Sequence, residues 1–334
     1  MLKKKFFFRL EFRTLVRKYD CDLCFTPMIM ADSFIRSEKA RRNEFTTNKD
    51  DKPLIVQFAA NNVYDFSEAA KLVSPYSDGV DLNCGCPQRW AMKIGIGACL
   101  LSEPEVVKNI VSSTRNQISK SYSVSVKLRL LNDMKSTVDL CRKLESAGVT
   151  FLTIHGRTKE QKTQPINVEI LKEVASSVKI PVVANGDVKS LEDAVLLQEL
   201  IGCKGVMSAR GILQNPAMFK GYKETPIECV RDWIQLALDS NLHFITFHHH
   251  LVFMLEKILQ KRDRRKFNNM TNYYDVLCFL NQFYGFDFDY SPKSVQGDFD
   301  IVYDIKNSGK YFVEKTEINE DMEYFLYDSF GLYQ

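Results

Sequence analysis

A cysteine set directly before a proline, Cys86-Pro87, closes the run GVDLNCGCP from Gly79 to Pro87. A short apolar run ending in a polar residue, a glycine and a proline reads as a buried strand that delivers a side chain to a fixed loop. An unperturbed thiol ionises near about pH 8.5, so at neutral pH Cys86 is mostly protonated and able to give a proton as well as to attack. Its neighbours decide which. Polar residues recur at comparable places in other β-rich runs: Gln57 in PLIVQFAA, Asn83 in the cysteine run, Lys127 and Arg129 in SVSVKLRL, His155 in TFLTIHGR and Asn185 in IPVVANGD.

These side chains need elements to hold them. Seven β-rich runs (CDLCFTPMI, PLIVQFAA, GVDLNCGCP, SVSVKLRL, TFLTIHGR, IPVVANGD and GVMSARG) alternate with segments whose apolar residues recur at three and four spacing, several opening at Ser or Asp and closing at Gly. With whatever the N-terminus supplies, the alternation predicts an eight-stranded (β/α) TIM barrel rather than a doubly wound sheet. Within SVSVKLRL the residues Val124, Val126, Leu128 and Leu130 share one face, leaving Lys127 and Arg129 on the other. The same alternation sets Gln57, Asn83, His155 and Asn185 apart from the apolar residues beside them. All lie near the carboxyl ends of their strands, where barrels build their sites, so five strands converge on one mouth.

Two turns suit an anion. Asn185-Gly186-Asp187 and Ala209-Arg210-Gly211 end the last two strands, where backbone N–H groups and a helix N-terminus can hold phosphate and Arg210 adds charge. Gly95-Ile-Gly97-Ala lacks the third glycine and the preceding strand of a dinucleotide fingerprint and reads as a loop. Cys21-Asp22-Leu23-Cys24 has chelate spacing but no second pair, and within a strand its thiols would face opposite ways, so no metal is expected. Adjacent His248, His249 and His250 diverge on a helix and read as packing and surface residues.

Nine cysteines scattered through apolar segments suit a reduced, cytoplasmic protein, with nuclear residence an alternative and mitochondrial residence less favoured. No apolar run approaches the roughly 18 residues of a membrane span. Residues 288–334 hold ten acidic residues against four lysines, a balance of −6, so the total of +3 leaves +9 on the rest of the chain. That excess suits a polyanionic partner.

VQFA, DLNCGCPQ followed by KIGIGACLL, VKLRL, IHGRT, VANGDV and MSARGIL, in that order, resemble the flavin-dependent tRNA-dihydrouridine synthases. LEFRTLVRKYDCDLCFTPMI, NPAMFKGY and FHHHLVFMLEKI look most like the eukaryotic branch acting at positions 20a and 20b. The resemblance implies FMN in the barrel mouth, NADPH or NADH as electron donor, and tRNA as substrate of a monomer. It implies Cys86 as the acid that protonates a uracil carbon. Gln57, Lys127 and His155 would face the flavin, while Asn185, Gly186, Asp187, Ala209 and Arg210 would hold its phosphate end. Asn83, Arg129 and Arg157 would orient the uracil. The expected organisation is a catalytic barrel over 1–224, a helical tRNA-binding region over 225–287 with its basic run at Lys257, Lys261, Arg262, Arg264, Arg265 and Lys266, and an acidic tail over 288–334. Family members begin with a strand ending in Pro-Met. Here MLKKKFFFRL stands in that place, with Phe6–Phe8 the strand-prone candidates for it, or the barrel is open at that seam. A flavin oxidoreductase acting on a free pyrimidine, and a tRNA-binding homologue without activity, are the alternatives.

Overall fold

The computed structural model describes residues 8–288. The strands are β1 (Cys24–Phe25), β2 (Ile29–Met30), β3 (Leu54–Ala59), β4 (Gly79–Cys84), β5 (Ser123–Arg129), β6 (Phe151–His155), β7 (Val182–Asn185) and β8 (Gly205–Met207). Every ladder is parallel. The order is β1-β3-β4-β5-β6-β7-β8, and β2 also pairs with β3. Thus the expected run CDLCFTPMI becomes two short strands sharing one place in the sheet, because Pro27 has no N–H to continue the ladder. Eight strand segments fill seven places.

Helices cover the outer face as the pattern anticipates. They are α1 (Leu10–Arg17), α2 (Ala31–Arg36), α3 (Glu38–Glu44), α4 (Val63–Val73), α5 (Arg89–Lys93), α6 (Pro104–Arg115), α7 (Met134–Ser146), α8 (Val168–Ser177), α9 (Leu191–Ile201) and α10 (Arg210–Gln214). Their starts follow the capping rule. The side chains of Asn62, Asp133, Asn167 and Ser190 each accept a hydrogen bond from a first-turn N–H, at 2.8–3.0 Å. Val80, Leu82, Val124, Val126, Leu128, Leu152 and Ile154 point outward into this helical layer and are fully buried.

A second layer follows the barrel: α11 (Ile227–Asp239), α12 (Phe244–Met254), α13 (Lys261–Asn268) and α14 (Tyr273–Tyr284). Within FITFHHHLVFMLEKILQK the helix ends at Met254, and the basic run starts a helix of its own. Its Arg264 reaches back to the Glu256 carbonyl at 2.7 Å. The N-terminal α1 docks here as well, the Phe12 ring stacking on His250 at 4.3 Å and meeting Trp233 edge-on at 6.2 Å. His248 lies against Phe244 and places its Nε2 2.8 Å from the Phe267 carbonyl. Both histidines are therefore packing residues, as read from the sequence.

Of the two expectations for the N-terminus, a strand from Phe6–Phe8 or an open seam, the described residues show no pairing between β8 and β1. The strand proposed for Phe6–Phe8 falls outside the described residues except at Phe8, which sits in a turn and packs edge-on against Phe12 at 5.6 Å. Instead α1 is fixed by charge. Asp51, buried, accepts from Arg13 at 2.7 Å and Arg17 at 3.1 Å. Removing one partner from such a buried group typically costs about 3–5 kcal/mol. The residues beyond 288, assigned to an acidic tail, lie outside the described residues. No helix among the described residues is long and apolar enough to cross a membrane.

Candidate active site at the barrel mouth

Register converts the alternation into a map of the interior. Gln57 lies beside Asp81 and Asp81 beside Ser125; one layer higher, Asn83 lies beside Lys127 and Lys127 beside Thr153. At the rim Arg129, His155, Asn185 and Met207 are consecutive neighbours. Every polar strand residue singled out from the sequence therefore faces inward. Below them, Phe25 and Phe151 meet edge-on at 6.4 Å and fill the floor.

One continuous hydrogen-bonded column rises from that floor to Cys86. Ser125 Oγ donates to Asp81 Oδ1 at 2.6 Å, and Gln57 Nε2 donates to Asp81 Oδ2 at 2.8 Å. Asp81 thus fixes which way the Gln57 amide points. Its Oε1 accepts from Asn83 Nδ2 at 2.9 Å, which in turn aims Asn83 Oδ1 at the loop, where it accepts from Gly85 N at 3.2 Å and Cys86 N at 2.9 Å. From the other side Arg129 Nε donates to the Gly85 carbonyl at 2.9 Å, while its Nη1 holds the Thr158 carbonyl at 2.8 Å. The Cys86 carbonyl accepts from Ala98 N at 2.9 Å, and Gly97, at φ +67°, packs so closely that a Cβ there would meet that carbonyl at 2.6 Å. The GIGA loop is therefore a backstop for the cysteine.

The two cysteines of the motif have opposite fates. Cys84 faces outward, is 1% exposed, and burial pushes its thiol well above the ordinary value. Cys86, half-buried, faces the mouth beside Met28, Met30, Trp90, Ala59 and Ile96. An apolar wall and a thiol thus share one side of the site.

Charge is concentrated next to it, from Asp81 and Lys127 up to the rim cations. Burial raises the Asp81 carboxyl to about 6, against the opposing pull of its hydrogen bonds and of Lys127. Burial also lowers Lys127 to about 8, with Asp81 acting in the reverse direction. Among the described residues the Lys127 ammonium has no hydrogen-bond or ion-pair partner. Beside it in register, Thr153 Oγ1 is buried without a partner. His155 is driven down to about 2 by burial and by the cations Lys127, Arg129, Arg157 and Arg210, so its ring is neutral. Arg157 Nη1 lies 3.3 Å from His155 Nε2. Because a guanidinium only donates, Nε2 accepts and Nδ1 carries the proton.

The remaining sequence candidates divide. Asn185 donates from Nδ2 to the Met207 carbonyl at 2.8 Å, tying β7 to β8. Gly186, at φ +128°, passes so close to His155 and Ile166 that a Cβ would meet Ile166 Cγ2 at 2.5 Å. Asp187 and Arg157, assigned to cofactor and substrate, meet each other instead through two contacts of 2.6 Å, with Arg157 only 2% exposed. Arg129 and Asn83, assigned to the uracil, are the clamp on the cysteine loop. Ala209 and Arg210 stand exposed at the start of α10. Asp81, Ser125 and Thr153 were not singled out from the sequence, although the alternation that selected Asn83 and Lys127 places them on the same face. No group of three or more His, Cys, Asp or Glu side chains among the described residues is placed to hold a metal.

Comparison with known proteins places the chain in a family. The model of the dihydrouridine synthase (Dus) family matches residues 7–282. The mouse tRNA-dihydrouridine(20a/20b) synthase [NAD(P)+]-like protein is 52% identical over 278 residues, covering 83% of this chain and 86% of its own. The human protein of the same description is 50% identical, covering 83% and 88%, and the Schizosaccharomyces pombe tRNA-dihydrouridine(20a/20b) synthase [NAD(P)+] is 42% identical, covering 77% and 78%. A family model spanning most of the chain, and relatives this similar across most of both lengths, lead to one conclusion: the chain belongs to the dihydrouridine synthase family.

Proposed function

We propose that the chain is a flavin-dependent tRNA-dihydrouridine synthase of the 20a/20b type, using FMN with NADPH or NADH as electron donor. The observation that carries this reading is the Cys86 thiol, held by Asn83 and Arg129 at the edge of a mouth where Lys127, the neighbour of Asn83 in register, presents an unpartnered ammonium. The interior suits a flavin. Lys127 offers a positive charge, Thr153 a hydroxyl without a partner, and His155 a neutral imidazole with its proton on Nδ1. A Cβ added at Gly205 would meet nothing within 4 Å, so the space inside β8 is open to a ligand. Bound FMN, once reduced, supplies the hydride.

The chain's own groups do the rest. Lys127, Gln57 and His155 would line the ring, and Ala209 and Arg210, exposed at the start of α10, with Gly186 close against His155, would face the anionic end. Met28, Met30 and Trp90 shield the thiol side from water. Cys86 Sγ–H gives its proton to the uracil carbon that hydride addition leaves electron-rich, and the nearby charges of Lys127 and Arg129 stabilise the thiolate that remains. Asp187 and Arg157, paired together, hold the loop after β6 against the loop after β7. The tRNA backbone lies along the exposed cations of α13, Lys261, Arg262, Arg265 and Lys266, with Lys257 beside them. The chain acts as a monomer in the cytoplasm.

Incubating flavin-loaded protein with NADPH and tRNA lacking the modification should yield dihydrouridine at 20a and 20b, read by nucleoside mass spectrometry. A flavin-loaded sample that reduces free uridine but not tRNA would favour the free-pyrimidine alternative, and one that binds tRNA with no turnover would favour the inactive one.

A further inference from the structure

The barrel's other end carries a second thiol arrangement that the reaction does not use. Cys21 follows Asp20, whose φ of +64° reverses the chain after α1, and Cys24 opens β1. Because Cys21 precedes the strand, the alternation that would set the two thiols on opposite faces does not apply. Their sulfurs lie 3.9 Å apart, close to van der Waals contact. Backbone bonds hold both ends, from Cys21 N to the Val16 carbonyl at 3.2 Å and from Cys24 N to the Pro53 carbonyl at 3.4 Å. Cys21 is half-buried, whereas Cys24 is 5% exposed.

From this geometry we propose that Cys21 and Cys24 are a redox-active dithiol that oxidises to an intramolecular disulfide by exchange with a small disulfide of the glutathione class. Access sets the order of events. A molecule of that size reaches only the Cys21 sulfur, and Cys24 acts as the resolving thiol. As a thiolate, Cys21 attacks one sulfur of the oxidant, forming a mixed disulfide and releasing one thiol. Cys24 then attacks the Cys21 sulfur, expelling the second. Two protein thiols are oxidised to one disulfide, the oxidant is reduced to two thiols, and the two protons leave with them. Either sulfur can donate across this contact, so ionisation of one thiol is stabilised by the proton left on the other; the Arg17 guanidinium favours the thiolate at both positions, against burial, which opposes it at both. Bringing 3.9 Å to a bond of about 2 Å needs a side-chain rotation of two residues already held in one turn. The product staples the end of α1 to β1, and α1 is the element that joins the barrel to the helical layer through Phe12.

The test uses the full chain, reduced and then equilibrated with mixtures of reduced and oxidised glutathione, quenched in acid, alkylated and digested with trypsin. One tryptic peptide, residues 19–36, holds both thiols and no other cysteine. The expected result is a loss of two hydrogens from that peptide without a glutathione adduct, at a ratio where exposed Cys278 already carries one. Cys24→Ser should trap the adduct on Cys21, and Cys21→Ser should leave Cys24 unmodified. Persistence of both free thiols in the parent protein while Cys278 is modified overturns the proposal. So does an adduct on Cys24 in Cys21→Ser as large as that on Cys21 in Cys24→Ser.

Discussion

Where β4 and β5 end, the groups around Cys86 are committed to one another: Asn83 accepts two loop N–H groups and Arg129 holds three loop carbonyls. Where β7 and β8 end, much is uncommitted: Gly205–Met207 are half-buried, Ala209 and Arg210 are exposed, and the strand edge has no pairing partner among the described residues. The difference separates two kinds of construction. The proton donor is positioned by the protein alone, through a column founded on a buried carboxylate. The anion-binding end is left for a ligand to complete. Preorganisation of the first kind lowers the reorganisation needed during reaction, and completion of the second kind converts ligand binding into added stability.

The largest expected effect lies in the finished half. Cys86→Ala should slow uridine reduction by about 10²- to 10⁴-fold while flavin binding and flavin reduction by NADPH persist. Cys84→Ala, trimming an outward thiol, should leave turnover close to the parent's, and the reverse pattern of losses would assign the acid to the wrong cysteine.

Next comes the foundation of the column. Asp81 is raised to about 6 in the folded state by burial, so the native protein holds its proton where the unfolded chain has lost it. Stability contributed at this site is therefore full below about pH 4 and falls as pH rises through about 6, by on the order of 3 kcal/mol. Urea denaturation across that window should show the parent losing stability relative to Asp81→Asn, and parallel curves would mean that the carboxyl is solvated.

Lys127 stands between the two halves and sharpens the contrast. Lowered to about 8, its ammonium is lost above that pH, so FMN affinity should fall as pH rises through about 8, by up to about tenfold per pH unit. Lys127→Arg, which stays charged, should remove the inflection. Titration of FMN by fluorescence quenching reads both.

The smallest effects belong to the outer helices. Arg262→Glu and Arg265→Glu should each reduce the slope of log tRNA affinity against log salt by roughly 0.7–0.9 for every phosphate left without its cation. Arg264 behaves differently because its guanidinium serves the Glu256 carbonyl at 2.7 Å. Its replacement should lower thermal stability more than it changes the salt slope.

Much of this was legible from one rule. Alternation on a strand identified the inward face, and so found Gln57, Asn83, Lys127, Arg129, His155 and Asn185. The same rule reaches Asp81 and Thr153, which were passed over because one lies below the strand end and the other resembles an ordinary β-former. What alternation cannot supply is partnership. Whether Arg157 faces a ligand or Asp187, and whether Arg129 holds substrate or the Gly85 carbonyl, depends on loops that converge from distant parts of the chain. The closeness of Cys21 to Cys24 was hidden for a related reason, since a period-two reading assumes a strand at Cys21 where the backbone makes a turn. The break of the first strand at Pro27 was visible in its missing N–H. MLKKKFFFRL left the seam between a Phe6–Phe8 strand and an opening, because it lacks the Pro-Met pair of the strand that stands there in the family.

Amide hydrogen exchange on flavin-stripped protein, followed by the same measurement with FMN added, tests the two-part construction most directly. Gly85 and Cys86, whose N–H groups are held by Asn83 Oδ1, should exchange slowly without ligand and change little when FMN is added. The amides of Ala209–Gly211 should exchange fast without ligand and become protected by it. Fast exchange at Gly85 and Cys86 that slows only with FMN would contradict the account, because the cysteine loop would then be built by the ligand and not by the column beneath it.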